Sequence, residues 1–106
     1  MIARLAYWDC DEEYWGRDIQ LFESGAVPIL KSQEGFIEAK LLGAVGETGR
    51  IALTFWSCAE AYNRFADSSD LQRITAMFAD MYCEGKFPES RDYEVRAQGF
   101  RESTRD

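Results

Sequence analysis

The chain has no histidine among its 106 residues. That absence excludes Ser-His-Asp and Cys-His catalysis, His-ligated haem, HExxH zinc and two-His iron sites within the chain. Cysteine is scarce as well. Cys10, Cys58 and Cys83 make an odd number at spacings that fit no metal motif, so a disulfide framework is not expected and a reducing cytoplasm is the expected location. Basic residues are in the minority, 12 Lys plus Arg against 19 Asp plus Glu, for a formal charge of -7. A surface of that sign repels phosphate backbones and anionic lipid, so neither nucleic acid nor a membrane is an expected partner. No apolar run approaches a transmembrane span, and Met-Ile-Ala-Arg-Leu does not read as a signal peptide. What is present is core material. Hydrophobic residues make up 46% and aromatics 14%, with only two prolines, so residues 1–100 read as one folded domain followed by a polar tail at 101–106.

Residues Ile2 to Trp8 read as a strand that ends at the acidic cluster 9–13. Asp11 is a good helix N-cap there, and Glu12 and Glu13 suit the positive end of a helix dipole. Trp15, Ile19, Phe22, Ala26 and Ile29 then recur at steps of three and four, the apolar stripe of a first helix. Pro28, beside Gly25, removes a hydrogen bond to Ser24 and predicts a kink, with the helix stopping near Ser32. Phe36 to Gly43 and Arg50 to Trp56 are two strands joined by a glycine-rich link, a hairpin rather than a phosphate loop because no helix and no Gly-Lys-Ser/Thr follow. Ser57 and Glu60 have capping-box spacing before a second helix. That helix breaks at Asp67-Ser-Ser-Asp70, resumes through Leu71, Ile74, Phe78 and Met81, and ends by Cys83 with Gly85 after it. Lys86 to Arg91 read as a connection, and the alternation of Tyr93, Val95 and Ala97 with Glu94, Arg96 and Gln98 as a fourth strand.

The order βαββαβ with two right-handed crossovers predicts an α+β, ferredoxin-like fold: a four-stranded antiparallel sheet with both helices on one face. Strand one is apolar on both sides, and so is strand three. Helices on one face leave the other in need of a partner, and a homodimer supplies it with a single self-complementary patch. Arg4 is directed inward on either side, which calls for Glu38, Glu94 or a ligand anion, with an ion pair between subunits the favoured reading.

The stretches from Pro28 to Ile37 and from Ala52 to Tyr62 resemble the antibiotic-biosynthesis-monooxygenase-like group of the dimeric α+β barrels. The second is the more specific: a strand ending in Trp, a Ser step into a helix, and an aromatic six residues after the Trp. The likeness covers about residues 1–100. It implies a dimeric α+β barrel with a pocket between helices and sheet. Haem-degrading members carry an Asn near the end of strand one and a Trp and a His in helix two. Those positions correspond to Tyr7, Phe65 and Ile74 or Thr75, so the resemblance does not extend to haem degradation. Cofactor-independent, quinone-forming members use a strand-three Asn, the Trp that ends the strand and a Tyr early in the next helix. Here Trp56 and Tyr62 match, while Ala52 stands at the Asn position, which removes an amide able to steady a developing oxyanion.

The resemblance thus implies a cofactor-independent monooxygenase acting on a small aromatic or polyketide-like substrate. Trp56, Tyr62 and Tyr7 are the candidate catalytic residues, and Phe22, Phe65, Phe78 and Met77 the candidate substrate-binding wall. No metal site and no cofactor are expected. For Trp56 the other reading is a core indole whose N–H finds an acceptor, and for Tyr62 it is plain packing against the sheet. Cys58 reads as a small helix-start residue, since no base accompanies it. A non-catalytic ligand-binding or interaction protein on the same dimeric scaffold stands as the alternative function.

Overall fold

The computed structural model describes residues 1–86 and 88–101. Of the polar tail at 101–106, all but Arg101 lies outside the described residues. Four strands, β1 (Ile2–Asp9), β2 (Phe36–Gly43), β3 (Gly49–Trp56) and β4 (Glu89–Glu94), form one sheet in the order β2-β3-β1-β4. Every neighbouring pair is antiparallel, which is the ferredoxin-like arrangement. The helices are α1 (residues 17–31), α2 (Ala59–Ala66) and α3 (Ser69–Phe78), with short 3-10 turns at Glu12–Tyr14 and Ala79–Met81.

The first helix departs from the sequence reading at its start and in its middle. Asp11 does cap through its side chain, but it accepts the Glu13 amide at the head of the 3-10 turn rather than of the long helix. The chain then turns at Gly16, whose φ of +95° suits a residue without Cβ, and α1 begins at Arg17. Trp15 is therefore outside the helix. The buried stripe is Asp18, Phe22, Ala26 and Leu30, at steps of four, while Ile19 is half exposed. The expected kink at Pro28 is instead a π turn over Phe22–Ala26, in which the Val27 amide reaches back to the Phe22 carbonyl. Widening the ladder just before Pro28 lets the missing N–H fall at the first turn of the α-helical segment Val27–Lys31, where proline is tolerated.

The capping box does not form. The Ser57 amide donates to the Gly35 carbonyl, and Cys58 occupies the cap position of α2 with no side-chain hydrogen bond. Gly35, at φ +85°, lies directly against Ala61, and a Cβ there would collide with it. The helix break near Asp67 is present, dividing α2 from α3. The fourth strand starts earlier than read, at Glu89, within what the sequence suggested was a connection. Its limits follow from β1: Glu94 already pairs with Ile2, the first residue of the strand it borders, and the Val95 amide to the Met1 carbonyl is the last bond available.

Strand register assigns the two faces. Arg4, Ala6 and Trp8 stand across from Thr54, Ala52 and Arg50. The side toward the helices carries the core, in which Trp8 and Cys10 meet Phe22, Ala26, Phe78 and Met81, while Trp56 meets Leu30, Ala61 and Phe65. The opposite side presents Ala3, Leu5 and Tyr7 against Phe55, Leu53 and Ile51, and no helix among the described residues covers it. A buried ion pair ties the start of α1 to the β2–β3 hairpin. Arg50 Nε donates to Asp18 Oδ2 at 2.9 Å, with the two side chains 10% and 2% exposed. The other Asp18 oxygen accepts the Gly16 amide, and the guanidinium lies 5.2 Å over the Trp15 ring.

Candidate functional site

Between the helices and the sheet lies a cleft of about 200 Å³. Ala6, Ala52 and Thr54 form its floor, and Phe22, Phe65 and Phe78 its aromatic wall. An engineered cavity of ~150 Å³ holds a benzene, so a single aromatic ring is an appropriate guest for this volume. The polar groups at its border are Arg4, Thr54, Thr75, Tyr82, Glu89 and Ser90. An apolar space with a small number of directed polar groups is the usual composition of a small-molecule site.

Three of the four wall residues read from the sequence meet there. Met77 does not. It packs against the core beside the cleft, where its sulfur faces Gly25 in the π turn. Gly25 makes room for it, since a Cβ at that position would stand 2.9 Å from the Met77 sulfur.

The three candidate catalytic residues are not assembled in the cleft. Tyr7 is on the opposite face of the sheet, paired with Ile51 and Glu89. It borders a shallow hollow of about 730 Å³ shared with Arg91 and Tyr93. The reason is parity: Trp8 points to the helices, so its neighbour must point away. The larger hollow lies on the uncovered side of the sheet, whereas the cleft is less open and is flanked by side chains from both layers. The cleft is therefore the better place to keep a reacting ring dry.

Trp56 is fully buried, stacked on Phe65 at 4.7 Å. Its indole N–H donates to Thr54 Oγ1 at 3.0 Å rather than into the cleft. Thr54 does line the cleft. Because its oxygen accepts from Trp56, its own hydroxyl proton remains available to a guest. Tyr62 is half-buried on α2, and its hydroxyl donates to Asp92 Oδ1 at 2.8 Å. Burial, then the hydrogen bond to Asp92, push the Tyr62 phenol above its ordinary value, while the Arg4 guanidinium opposes them.

Two cleft residues, Thr54 and Tyr82, had no signal in the sequence. Tyr82 belongs to the border because residues 82–83 run beside the end of β1, in a bridge between Cys10 and Tyr82. Its ring meets Trp8 edge-on at 5.7 Å, and burial raises its phenol pKa. Ala52, read as the missing-amide position, is itself on the cleft floor. Among the described residues no three His, Cys, Asp or Glu side chains gather as metal ligands would. No helix among them is long and apolar enough to cross a membrane.

No protein-family sequence model and no curated protein matches the chain. Solved structures do. A monooxygenase from the gene ActVA-Orf6 of Streptomyces coelicolor, solved in complex with nanaomycin D, superposes with a TM-score of 0.78 at 13% identity, over 95% of this chain and 92% of that one. SnoaB, a cofactor-independent oxygenase from Streptomyces nogalater solved as a mutant, gives a TM-score of 0.68 at 16% identity, covering 92% and 94%. An antibiotic biosynthesis monooxygenase gives 0.71 at 9% identity, over 92% of this chain and 100% of the other. The fold is the one these oxygenases use. Identities this low carry the architecture alone, and the chemistry has to be argued from the cleft.

Proposed function

We propose that this protein is a cofactor-independent monooxygenase of the antibiotic-biosynthesis-monooxygenase-like family, acting on a small aromatic or polyketide-like substrate in the helix–sheet cleft. The observation that carries the reading is an aromatic-walled cleft between helices and sheet, lined by Thr54, whose hydroxyl oxygen is held by the Trp56 indole N–H. Without a cofactor the substrate itself must reduce O₂, which a deprotonated phenol or hydroquinone can do. In balance, a phenol and O₂ give a quinone and water: one oxygen atom enters the ring and the other leaves as water. The four electrons come from the substrate. The chain's part is to orient the ring, exclude water and place donors toward the phenolate oxygen. Thr54 is the donor, Trp56 its positioning residue, and Tyr62 with Asp92 stands beside Arg4 at one end. Phe22, Phe65 and Phe78 hold the ring.

The same reading includes a homodimer formed through the uncovered sheet face, which has Leu5, Tyr7, Leu53 and Phe55 at its centre. That assigns Tyr7 to the interface rather than to the reaction. Sedimentation equilibrium at micromolar concentration should give twice the chain mass, and a monomer would count against it. Three free thiols fit a reducing cytoplasm as the location. One observation favours a binding protein instead: Ala52 on the cleft floor provides no amide where the resemblance calls for one. Oxygen consumption with catechol and polyketide-like hydroquinones separates the two. Uptake coupled to the appearance of quinone absorbance supports the oxygenase, and tight binding with no uptake supports the alternative.

A further inference from the structure

Arg4 is a charged side chain on the inner face of a central strand, bordering a cleft whose wall is apolar and whose rim also carries Glu89. Neither carboxylate suggested by the sequence reaches it. Glu38 pairs with Lys40 at 2.9 Å, and Glu94 with Arg96 at 3.5 Å. Its cross-strand neighbour Asp92 accepts the Tyr62 hydroxyl, and among the described residues no carboxylate oxygen lies within 4 Å of the Arg4 guanidinium. Arg4 faces the helices and not the uncovered side of the sheet. A guanidinium remains protonated at any working pH, and holding it half-buried without an anion is costly. In a chain of net charge -7, a cleft cation that meets the neutral Tyr62 hydroxyl and, among the described residues, has no carboxylate within 4 Å is therefore informative.

We propose that Arg4 is the specificity-determining residue of the cleft and that the guest is a single aromatic ring bearing one anionic oxygen group, a carboxylate or a phenolate, held by the guanidinium fork. The proposal rests on the cleft being the ligand site, as the proposed function has it. It adds the charge of the ligand and the residue that reads it. The ring lies among Phe22, Phe65 and Phe78, and the anionic group meets Arg4 near Tyr62. A neutral ring of equal shape keeps the apolar contacts and leaves the guanidinium without its partner, which is the source of discrimination.

Titration with benzoate and with benzamide, following the backbone amides of Ala52 and Thr54 by NMR, tests this without reference to oxygen chemistry. Benzoate should bind the unaltered protein at least tenfold more tightly than benzamide. Arg4→Met keeps the aliphatic stem and should bring benzoate down to the benzamide affinity while leaving benzamide within about twofold. A nitrophenol titrated across its own ionisation separates the two anions: tighter binding of the ionised form identifies a phenolate reader, and a preference confined to benzoate a carboxylate reader. Equal affinities for benzoate, benzamide and both nitrophenol forms would overturn the Arg4 assignment alone. That comparison needs no variant, so it decides even if Arg4→Met does not fold. No response of the cleft amides to any probe at millimolar concentration would overturn the cleft as a ligand site, and the proposed function with it.

Discussion

Replacing Trp56 with Phe separates its two roles, as a core residue and as a support for Thr54. The indole is fully buried, stacked on Phe65 at 4.7 Å, edge-on to Phe36 at 5.5 Å, and bonded to Thr54 at 3.0 Å. Phenylalanine keeps the stack and deletes the pyrrole portion. A loss on the order of 40 Å³ costs about 1 kcal/mol as cavity, with about another 1 kcal/mol for the lost hydrogen bond. The expected total is ~2 kcal/mol, a fall in melting temperature of roughly 8–16 °C for a domain near this size. Thr54→Val strands the buried indole N–H and should cost about 1–3 kcal/mol. Because both substitutions delete the same bond, the double variant should recover about 1 kcal/mol relative to their sum. Urea unfolding at one fixed protein concentration is the assay, since the proposed dimer would make stability concentration-dependent. If Thr54 is the donor, both single variants lower kcat by on the order of 10- to 1000-fold for a substrate that turns over. A Trp56→Phe protein with unaltered melting temperature, or additive effects in the double variant, would refute the assignment of the N–H to Thr54.

Other perturbations test separate parts of the structure. Asp18→Asn removes the partner of a nearly buried guanidinium, and because Arg50 keeps its bonds to the Glu47 and Gly49 carbonyls the expected loss is about 3 kcal/mol, at the low end for a broken buried pair, read by urea unfolding. Cys10 should resist alkylation at pH 8 while exposed Cys58 reacts, because burial and then the Asp18 charge push the Cys10 thiol from 9.0 up to about 11. In the unfolded chain that thiol ionises at the lower value, so between pH 9 and 11 the folded state binds more protons and stability falls as pH rises; Cys10→Ala should flatten this slope. Ala52→Asn places an amide on the cleft floor and should raise the rate of quinone formation at least tenfold, whereas an unchanged or lower rate would mean that the cleft does not use the donor arrangement of its relatives.

Much of the architecture is legible in the chain because each strand is bounded by its own turn chemistry and each crossover admits one hand. The cleft's aromatic wall is legible for a similar reason: Phe22, Phe65 and Phe78 recur on the sheet-facing sides of their helices. Tyr7 is not. Both faces of β1 are apolar, so alternation alone leaves its direction open, and only the packing of Trp8 on Phe78 and Tyr82 assigns it. The Asp18–Arg50 pair is hidden by a related ambiguity. A charged residue beside Ile19 reads as solvent-facing under a regular helical repeat. The turn at Gly16 and the π turn shift the stripe onto Asp18, and its partner lies 32 residues away in sequence. Thr54 and Tyr82 have no motif at all. Their place follows from a cross-strand register and from an isolated bridge, neither of which leaves a pattern in residue type.

The proposed oxygenase activity directs one atom of O₂ into an aromatic ring held in the helix–sheet cleft, with the chain as the only catalyst. Its most direct test is a single reaction under ¹⁸O₂, using protein dialysed against a chelator and a phenolic substrate found by oxygen uptake. The quinone is reduced at once to the hydroquinone to prevent exchange with water, and the product is weighed by mass spectrometry. One ¹⁸O atom in each product molecule, with the other recovered in water, is the expected result. Unlabelled product, or formation at the same rate without the protein, would contradict it.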